Sequence, residues 1–279
     1  MNKKTWNANV PREHRALMLR TCNADGTSRN NFKWPKKGYV SCEDRKPTMK
    51  CGNGLHGLLR GEGDPGLLNW SEDALWQAVE VDLRTVVDLG DKVKVPYAYV
   101  VHTGNRKEVT DLLVQRYPHI PIPGAFVAVG DRQQATAGDC GTATAGDCGT
   151  ATAGNYGTAT AGNKGTATAG SDGTATAGYK GTATAGDYGT ATAGDYGTAT
   201  AGHGGTATAG NKGTATAGDG GTATAGDGGT LQIKWWDEKS RRYRIATVYV
   251  GEDGILPNVP YRLDSEGKFV RADGENKQT

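Results

Sequence analysis

The amino-acid sequence predicts a mainly β protein: a parallel β-solenoid of about six sixteen-residue coils, with a small α+β N-terminal domain and a β-hairpin C-terminal cap. Three observations lead there. An eight-residue unit repeats twelve times between residues 135 and 230 without a break in register. The chain carries 43 glycines with only 36% hydrophobic residues and 3 Phe, too little apolar material for a conventional core along its whole length. Strand-like and helix-like patterns with normal core-forming content occupy the first 130 or so residues. The expected divisions are therefore 1–130 for the head, 131–230 for the repeat and 231–279 for the cap and tail.

In the head, strand-like runs span Ala16 to Thr21, Gly38 to Ser41, Trp76 to Leu83, Thr85 to Leu89 and Lys92 to His102. Asn105 has the side chain and position of a helix N-cap, and the helix it starts should run through Tyr117 because Pro118 cannot continue it.

The repeat reads Ala-Thr-Ala-Gly-X-X-Gly-Thr, and only X-X changes. Thr-Ala-Thr-Ala alternates with the period of a strand, so threonines take one face and alanines the other. Gly-X-X-Gly supplies a corner in which glycine is expected to take positive φ, and Asp, Asn and Gly at X suit a turn. One octad is too short to close around an interior, whereas two give a flattened coil with facing strands. Twelve octads then make six coils, a rod roughly 29 Å long at the spacing of about 4.8 Å between strands. A flexible linker would not need this register. Collagen is excluded because glycine recurs at intervals of three and five, and calcium-binding rolls because the Gly-Gly-x-Gly-x-Asp unit is absent.

The octad Ala185-Gly186-Asp187-Tyr188-Gly189-Thr190-Ala191-Thr192 resembles that of bacterial ice-nucleation proteins, Ala-Gly-Tyr-Gly-Ser-Thr-x-Thr, in length, in Ala-Gly and in Thr-x-Thr. The resemblance covers about a third of the chain and implies sixteen-residue coils whose Thr-x-Thr rows order water into ice. Here Gly stands where that family has Ser, and there is no strict tyrosine row. The stretch from Cys51 through Gly52 and His56 to Asp64 resembles the head of uncharacterised phage and bacterial proteins that carry such repeats, a resemblance that brings no activity with it.

After Thr230 the segments Leu231 to Trp236 and Tyr243 to Val250 read as a hairpin that blocks the open strand edges of the last coil, with Trp235 and Trp236 expected to cover it. Stacking of this pair on a sugar or base is the sharper alternative.

Lys plus Arg (32) nearly balance Asp plus Glu (30), which removes the bulk electrostatic argument for nucleic acid or a membrane surface. The repeat, with 7 Asp and 3 Lys, carries a local negative balance and the prospect of an acidic stripe. No run approaches the ~18 apolar residues of a membrane span or a signal-peptide core, so a cytoplasmic protein is expected, in the host cytoplasm if it is phage-encoded. The five cysteines have no small-scaffold spacing, and reduced thiols are expected.

Candidate chemistry is sparse. Cys51 and His56 with Glu62 and Asp64 contain the residue types of a nucleophile, base and orienter, but no nucleophile motif accompanies them. Zinc on Cys42, Cys51 and His56 would lack a fourth ligand and any CxxC pair. Cys140 and Cys148 hold equivalent octad positions and should fall on opposite corners. The expectation is no catalytic residue, no cofactor and no metal. Function is assigned to a surface, with two candidates. Thr142, Thr144, Thr158, Thr160, Thr174, Thr176, Thr190 and Thr192 would present a regular lattice to ice or ordered water. Tyr156, Tyr179, Tyr188 and Tyr196 at the corners would present aromatic anchors to a protein partner. The second is the expected use, with a host protein as partner; a homodimer is compatible with either, and a small enzyme in the head is the remaining alternative.

Overall fold

The computed structural model describes residues 1–274 except 29–30, 43–45, 47 and 52. Gly52 and the last five residues of the tail therefore lie outside the described residues. The chain forms two compact units, Met1–Ala125 and Phe126–Thr279.

The first unit opens with α1 (Lys3–Asn9), capped by the Asn2 side chain, and buries Trp6 among Tyr39, Tyr97 and Tyr99 with ring centroids 6.0 to 6.4 Å away. Its sheet contains β1 (Arg15–Cys22), β2 (Gly38–Ser41), β3 (Leu55–Leu59), β4 (Leu75–Asp82), β5 (Val87–Asp88), β6 (Val93–Val95) and β7 (Tyr97–Gly104). They pair antiparallel in the order β2-β7-β4-β1-β3-β6-β5. α2 (Arg106–Arg116) begins with a full capping box between Asn105 and Glu108. The expected run Lys92 to His102 divides at Pro96, which has no N–H for a ladder, and its halves join different neighbours. β3 is hidden in the sequence by Gly57 at its centre. Gly57 is there because a Cβ would sit 2.7 Å from the Leu19 carbonyl oxygen, so the residue marks a close approach of two strands rather than a bend.

The second unit is the solenoid. Its even-numbered strands run from β8 (Phe126–Ala128) to β20 (Thr222–Ala225), and its odd-numbered strands from β9 (Gln134–Thr136) to β21 (Thr230–Asp237). Each set forms a parallel sheet in which every residue pairs with the one sixteen positions on, as Thr174 with Thr190 and Thr182 with Thr198. The coils number about seven rather than six. The additional one is built from degenerate sequence: Phe126, Val127 and Ala128 pair with Thr142, Ala143 and Thr144, and Asp131-Arg132 takes the place of X-X.

Alternation along each strand places every alanine inside, as with Ala175 (0% exposed) and Ala177 (3%), and every threonine outside. The corners differ from the expectation in one respect. Positive φ falls on the second X in all twelve octads, for example Tyr188 at 57° and Lys212 at 53°, and not on the flanking glycines. With only the third turn residue left-handed, and the first glycine carbonyl accepting from the second glycine N–H (Gly189 to Gly186, 3.1 Å), the corner has the pattern of a type II turn. The glycines are required by contact instead. A Cβ on Gly154 would lie 2.7 Å from the backbone nitrogen of Asp139 in the coil before, and one on Gly157 would lie 2.8 Å from the Ala153 Cβ.

The last coil is closed by antiparallel strands. β22 (Arg242–Tyr249) pairs with β21, and β23 (Tyr261–Leu263) meets β20 at Ala223 and continues the sheet into β24 (Phe269–Arg271). Leu231, Ile233, Val250, Ile255 and Tyr261 end the alanine core. Trp235 is half-buried, with Gly267 so near its ring that no Cβ would fit, and Trp236 stacks edge-on with Tyr243 at 5.1 Å. The plug is therefore the aliphatic pair at the former alanine positions, with the tryptophans beside it.

Because the interior has room only for methyl groups, Ala175→Leu should destabilise the chain by about 1–3 kcal/mol through overpacking. Thr174→Leu on the exposed face should change stability by no more than about 0.5 kcal/mol. Denaturant unfolding of the two variants measures the difference.

Candidate functional site

Thr142, Thr144, Thr158, Thr160, Thr174, Thr176, Thr190 and Thr192 are brought together on the outer face of the even-strand sheet, in unbroken register. Their side chains are exposed or half-exposed. Along a strand, neighbouring threonines are about 6.7 Å apart, and between strands about 4.8 Å. Each presents one hydroxyl and one methyl. Thr206, Thr208, Thr222 and Thr224 extend the same rows.

Sequence reasoning assigned only this face. The odd strands build a second lattice of the same composition from Thr150 and Thr152 to Thr214 and Thr216, facing the other way. The signal was present, since every octad contains the same Thr-Ala-Thr-Ala. Neither lattice carries a charged residue.

Charge sits at the corners, and the two edges differ. One edge stacks the pairs beginning at Asp139, Asn155, Ser171, Asp187, His203 and Asp219; it holds four Asp and no Lys. The other stacks those at Asp147, Asn163, Tyr179, Asp195, Asn211 and Asp227, with three Asp and three Lys. The acidic stripe expected of the whole repeat is thus confined to one edge. Cys140 lies on the first edge and Cys148 on the second.

The corner tyrosines are divided as well. Tyr156 and Tyr188 belong to the acidic edge, where Tyr188 meets His203 at 5.4 Å. Tyr179 and Tyr196 lie on the other edge, 5.7 Å apart and edge-on, with Lys180 over both rings and Lys212 over Tyr196. Tyr156 is 68% exposed and Tyr188 63%.

The first X has a structural task that sequence reasoning missed. Asp139 Oδ1 accepts from the backbone N–H of Asn155 in the next coil at 2.7 Å, and Asn155 Oδ1 accepts from Ser171 at 2.9 Å. Asp147, Asn163, Asp187, Asp195 and Asn211 repeat the bond sixteen residues on. Ser171, Tyr179 and His203 interrupt it. Recurrence of Asp or Asn at a single octad position was the available signal.

In the head, Cys51 is exposed and His56 half-buried. Asp64 is engaged as a helix cap, accepting from Gly66 N–H. The His56 Nε2 is buried without a hydrogen-bond partner among the described residues. Burial first, then Lys92 and Lys94, hold its pKa below the ordinary imidazole value. Among the described residues no three His, Cys, Asp or Glu side chains come together where they could hold a metal ion. Nor is any helix among them long and apolar enough to cross a membrane.

Three relatives place the repeat. Over 97 residues, 34% of this chain, it is 38% identical to an ice nucleation protein of Pseudomonas fluorescens. Over 105 residues, 37% of the chain, it is 32% identical to the ice nucleation protein InaU of Pantoea ananas, and over 104 residues it is 35% identical to an ice nucleation protein of Pseudomonas syringae. The similarity lies in the repeat region, as the octad resemblance implied. The chain spans about a tenth or less of the length of these relatives, 8%, 10% and 9%. No family model and no solved structure matches.

Two outcomes follow from this geometry. Asp187→Ala removes the acceptor for His203 N–H and should destabilise the chain by about 1 kcal/mol in thermal unfolding. Ser171→Ala, which removes no rung of this ladder, should leave it unchanged. A His whose folded pKa is depressed favours the neutral form, so its contribution is present above pH ~6.5 and lost as pH falls through the folded pKa. The head should therefore weaken in mild acid, and His56→Gln should flatten that part of the stability-against-pH curve followed by tryptophan fluorescence.

Proposed function

We propose that this chain is a non-catalytic β-solenoid that binds ice or ordered surface water through its threonine lattices. The observation that carries this reading is the repetition of one hydroxyl-and-methyl pattern, strand after strand, on two uncharged faces. A protein partner selects individual side chains, and an invariant surface gives it nothing to select. A crystalline partner repeats, so identical groups at two fixed spacings all find equivalent places on it. Methyl groups beside hydroxyls suit this role, because they limit water to few orientations while the hydroxyls anchor it. The ice nucleation proteins similar to the repeat support the same reading.

The array is bounded inside this chain by head and cap sequence, with six threonine-bearing strands in the even sheet, β10 (Thr142–Ala145) to β20. A template this small holds an existing ice surface better than it starts a new crystal. Shaping and growth inhibition are accordingly the activity proposed, rather than efficient nucleation.

A protein partner at the corners is the second reading. What favours it is the exposed tyrosines at left-handed φ, a conformation Tyr does not prefer and Gly would adopt without strain. The phage source and the host partner expected from the head draw no support from the fold or from these relatives.

Purified protein should facet growing ice crystals and show thermal hysteresis. Lysine at Thr158, Thr176 and Thr190 should weaken the effect while the odd face still acts, and adding lysine at Thr166, Thr184 and Thr198 should abolish it, with unchanged circular dichroism. Absence of any effect of the wild-type chain on ice, or its survival in the six-lysine variant, would refute the proposal. A protein that co-purifies and is lost with Tyr156→Ala and Tyr188→Ala would establish the corner reading instead.

A further inference from the structure

β22 is an edge. It ends the eight-stranded odd sheet, and among the described residues no strand pairs with its outer side. The repeat strands are three or four residues long, but this one has eight, with neither Gly nor Pro inside it. Tyr243 (53%), Ile245 (65%) and Tyr249 (54%) are all well exposed, an unusual arrangement for a strand with an open edge.

The direction of its backbone groups can be derived. Thr230 is opposite Tyr249, so Gly229 is opposite Val250, and the Val250 N–H donates to the Gly229 carbonyl at 2.9 Å. Antiparallel pairs alternate between bonded and non-bonded positions. Val248, Ala246, Arg244 and Arg242 therefore bond inward to β21, while the N–H and C=O groups of Thr247, Ile245 and Tyr243 and the N–H of Tyr249 point outward; the Tyr249 carbonyl accepts from the Glu252 N–H at 3.1 Å. Tyr243, Ile245, Thr247 and Tyr249 also share the sheet's outer face with their partners Trp236, Lys234, Gln232 and Thr230.

We infer that this edge is a homodimer interface, in which β22 pairs antiparallel with β22 of a second copy across a two-fold axis at Ala246. This register sets outward-bonding residues opposite each other: Tyr243 faces Tyr249 of the partner subunit, and Ile245 faces Thr247 of the partner subunit. No like charges oppose. Both arginines sit at one end of the strand, so an antiparallel copy sets Arg244 against Val248 of the partner subunit. Arg244 is moreover already bonded to Asp237. The strand is thus complementary to itself in hydrogen bonding, in apolar character and in charge, as an isologous contact requires. A pairing centred on Tyr243 or Arg244 would instead set arginine against arginine.

The axis stands perpendicular to the sheet, so the odd-strand threonine face of one copy continues into that of the other. This consequence rests on the ice-binding proposal, whereas the dimer itself does not.

Light scattering coupled to size exclusion, run over a range of concentrations with the full chain, tests the inference. The wild type should be a dimer that dissociates on dilution. Thr247→Pro removes an outward N–H without touching the β21 ladder, and Ile245→Lys places a charge beside its symmetry mate; both should be monomeric with unchanged circular dichroism. Should Thr247→Pro fail to fold, Ile245→Lys, an exposed substitution, decides alone. A folded wild type that stays monomeric at high concentration, or a dimer that persists in the folded variants, would overturn the inference. Neither readout involves ice, so failure here is separable from failure of the proposed function.

Discussion

Everything in the solenoid depends on how thin its interior is. Two facing sheets separated by alanine methyl groups leave no volume for any larger residue, and the backbone at each corner must turn within two residues. The glycines before and after X-X follow from this closeness, since a Cβ at either place would meet the neighbouring coil or the preceding alanine. So does the side-chain ladder. With so little apolar area buried per residue, ordering of the coil rests on hydrogen bonds between successive turns, and the Asp or Asn at the first X extends that bonding beyond the strands into the corners.

The same thinness makes the ends critical. A conventional core closes on itself, but a stack of identical coils stops only where something different covers it. Leu231 and Ile233 continue the inward-facing positions with larger side chains, and Val250, Ile255 and Tyr261 complete the plug. β22 and β24 occupy the edges of the two sheets. Of these closing strands, β24 ends one sheet with three half-buried residues, while β22 ends the other with eight largely exposed ones. The solenoid is therefore capped hydrophobically at its core yet left open along one edge.

Much of this was legible in the residues. The twelve octads disclosed strand, corner, coil length and the inward set, because each of those properties repeats and repetition is what a single sequence displays best. In the head, Asn105 marked its helix through a local hydrogen bond that needs no distant partner. What escaped notice depended on contacts far apart in sequence. Gly57 conceals a strand because its reason lies on β1, and the Pro96 break is evident only once β6 and β7 are seen to join different neighbours. The added coil at Phe126 escaped because its pairing obeys the sixteen-residue register while its residues do not repeat. For the candidate surface, the threonines of alternate octads do share a face, and the octads between them build a second face of the same composition.

The distribution of variation is the strongest remaining argument about use. Turn chemistry alone would favour Gly or Asn at the left-handed second X, and Gly does stand there at Gly204, Gly220 and Gly228. At nine other corners the position is held by Cys, Tyr, Lys or Asp, each accepting an unfavourable conformation. Fold stability does not ask for these side chains. The charges among them are also sorted, with lysines on one edge only, although both edges have the same geometry. The faces show the opposite behaviour, since not one threonine or alanine varies in twelve octads. The surface is thus held uniform on two sides and varied on its two edges, so the positions a repeating partner would need and those a selective partner would need are separate in the proposed reading. The dimer inferred at β22 closes at two copies and joins them along the solenoid axis, the direction that lengthens a threonine lattice without covering it.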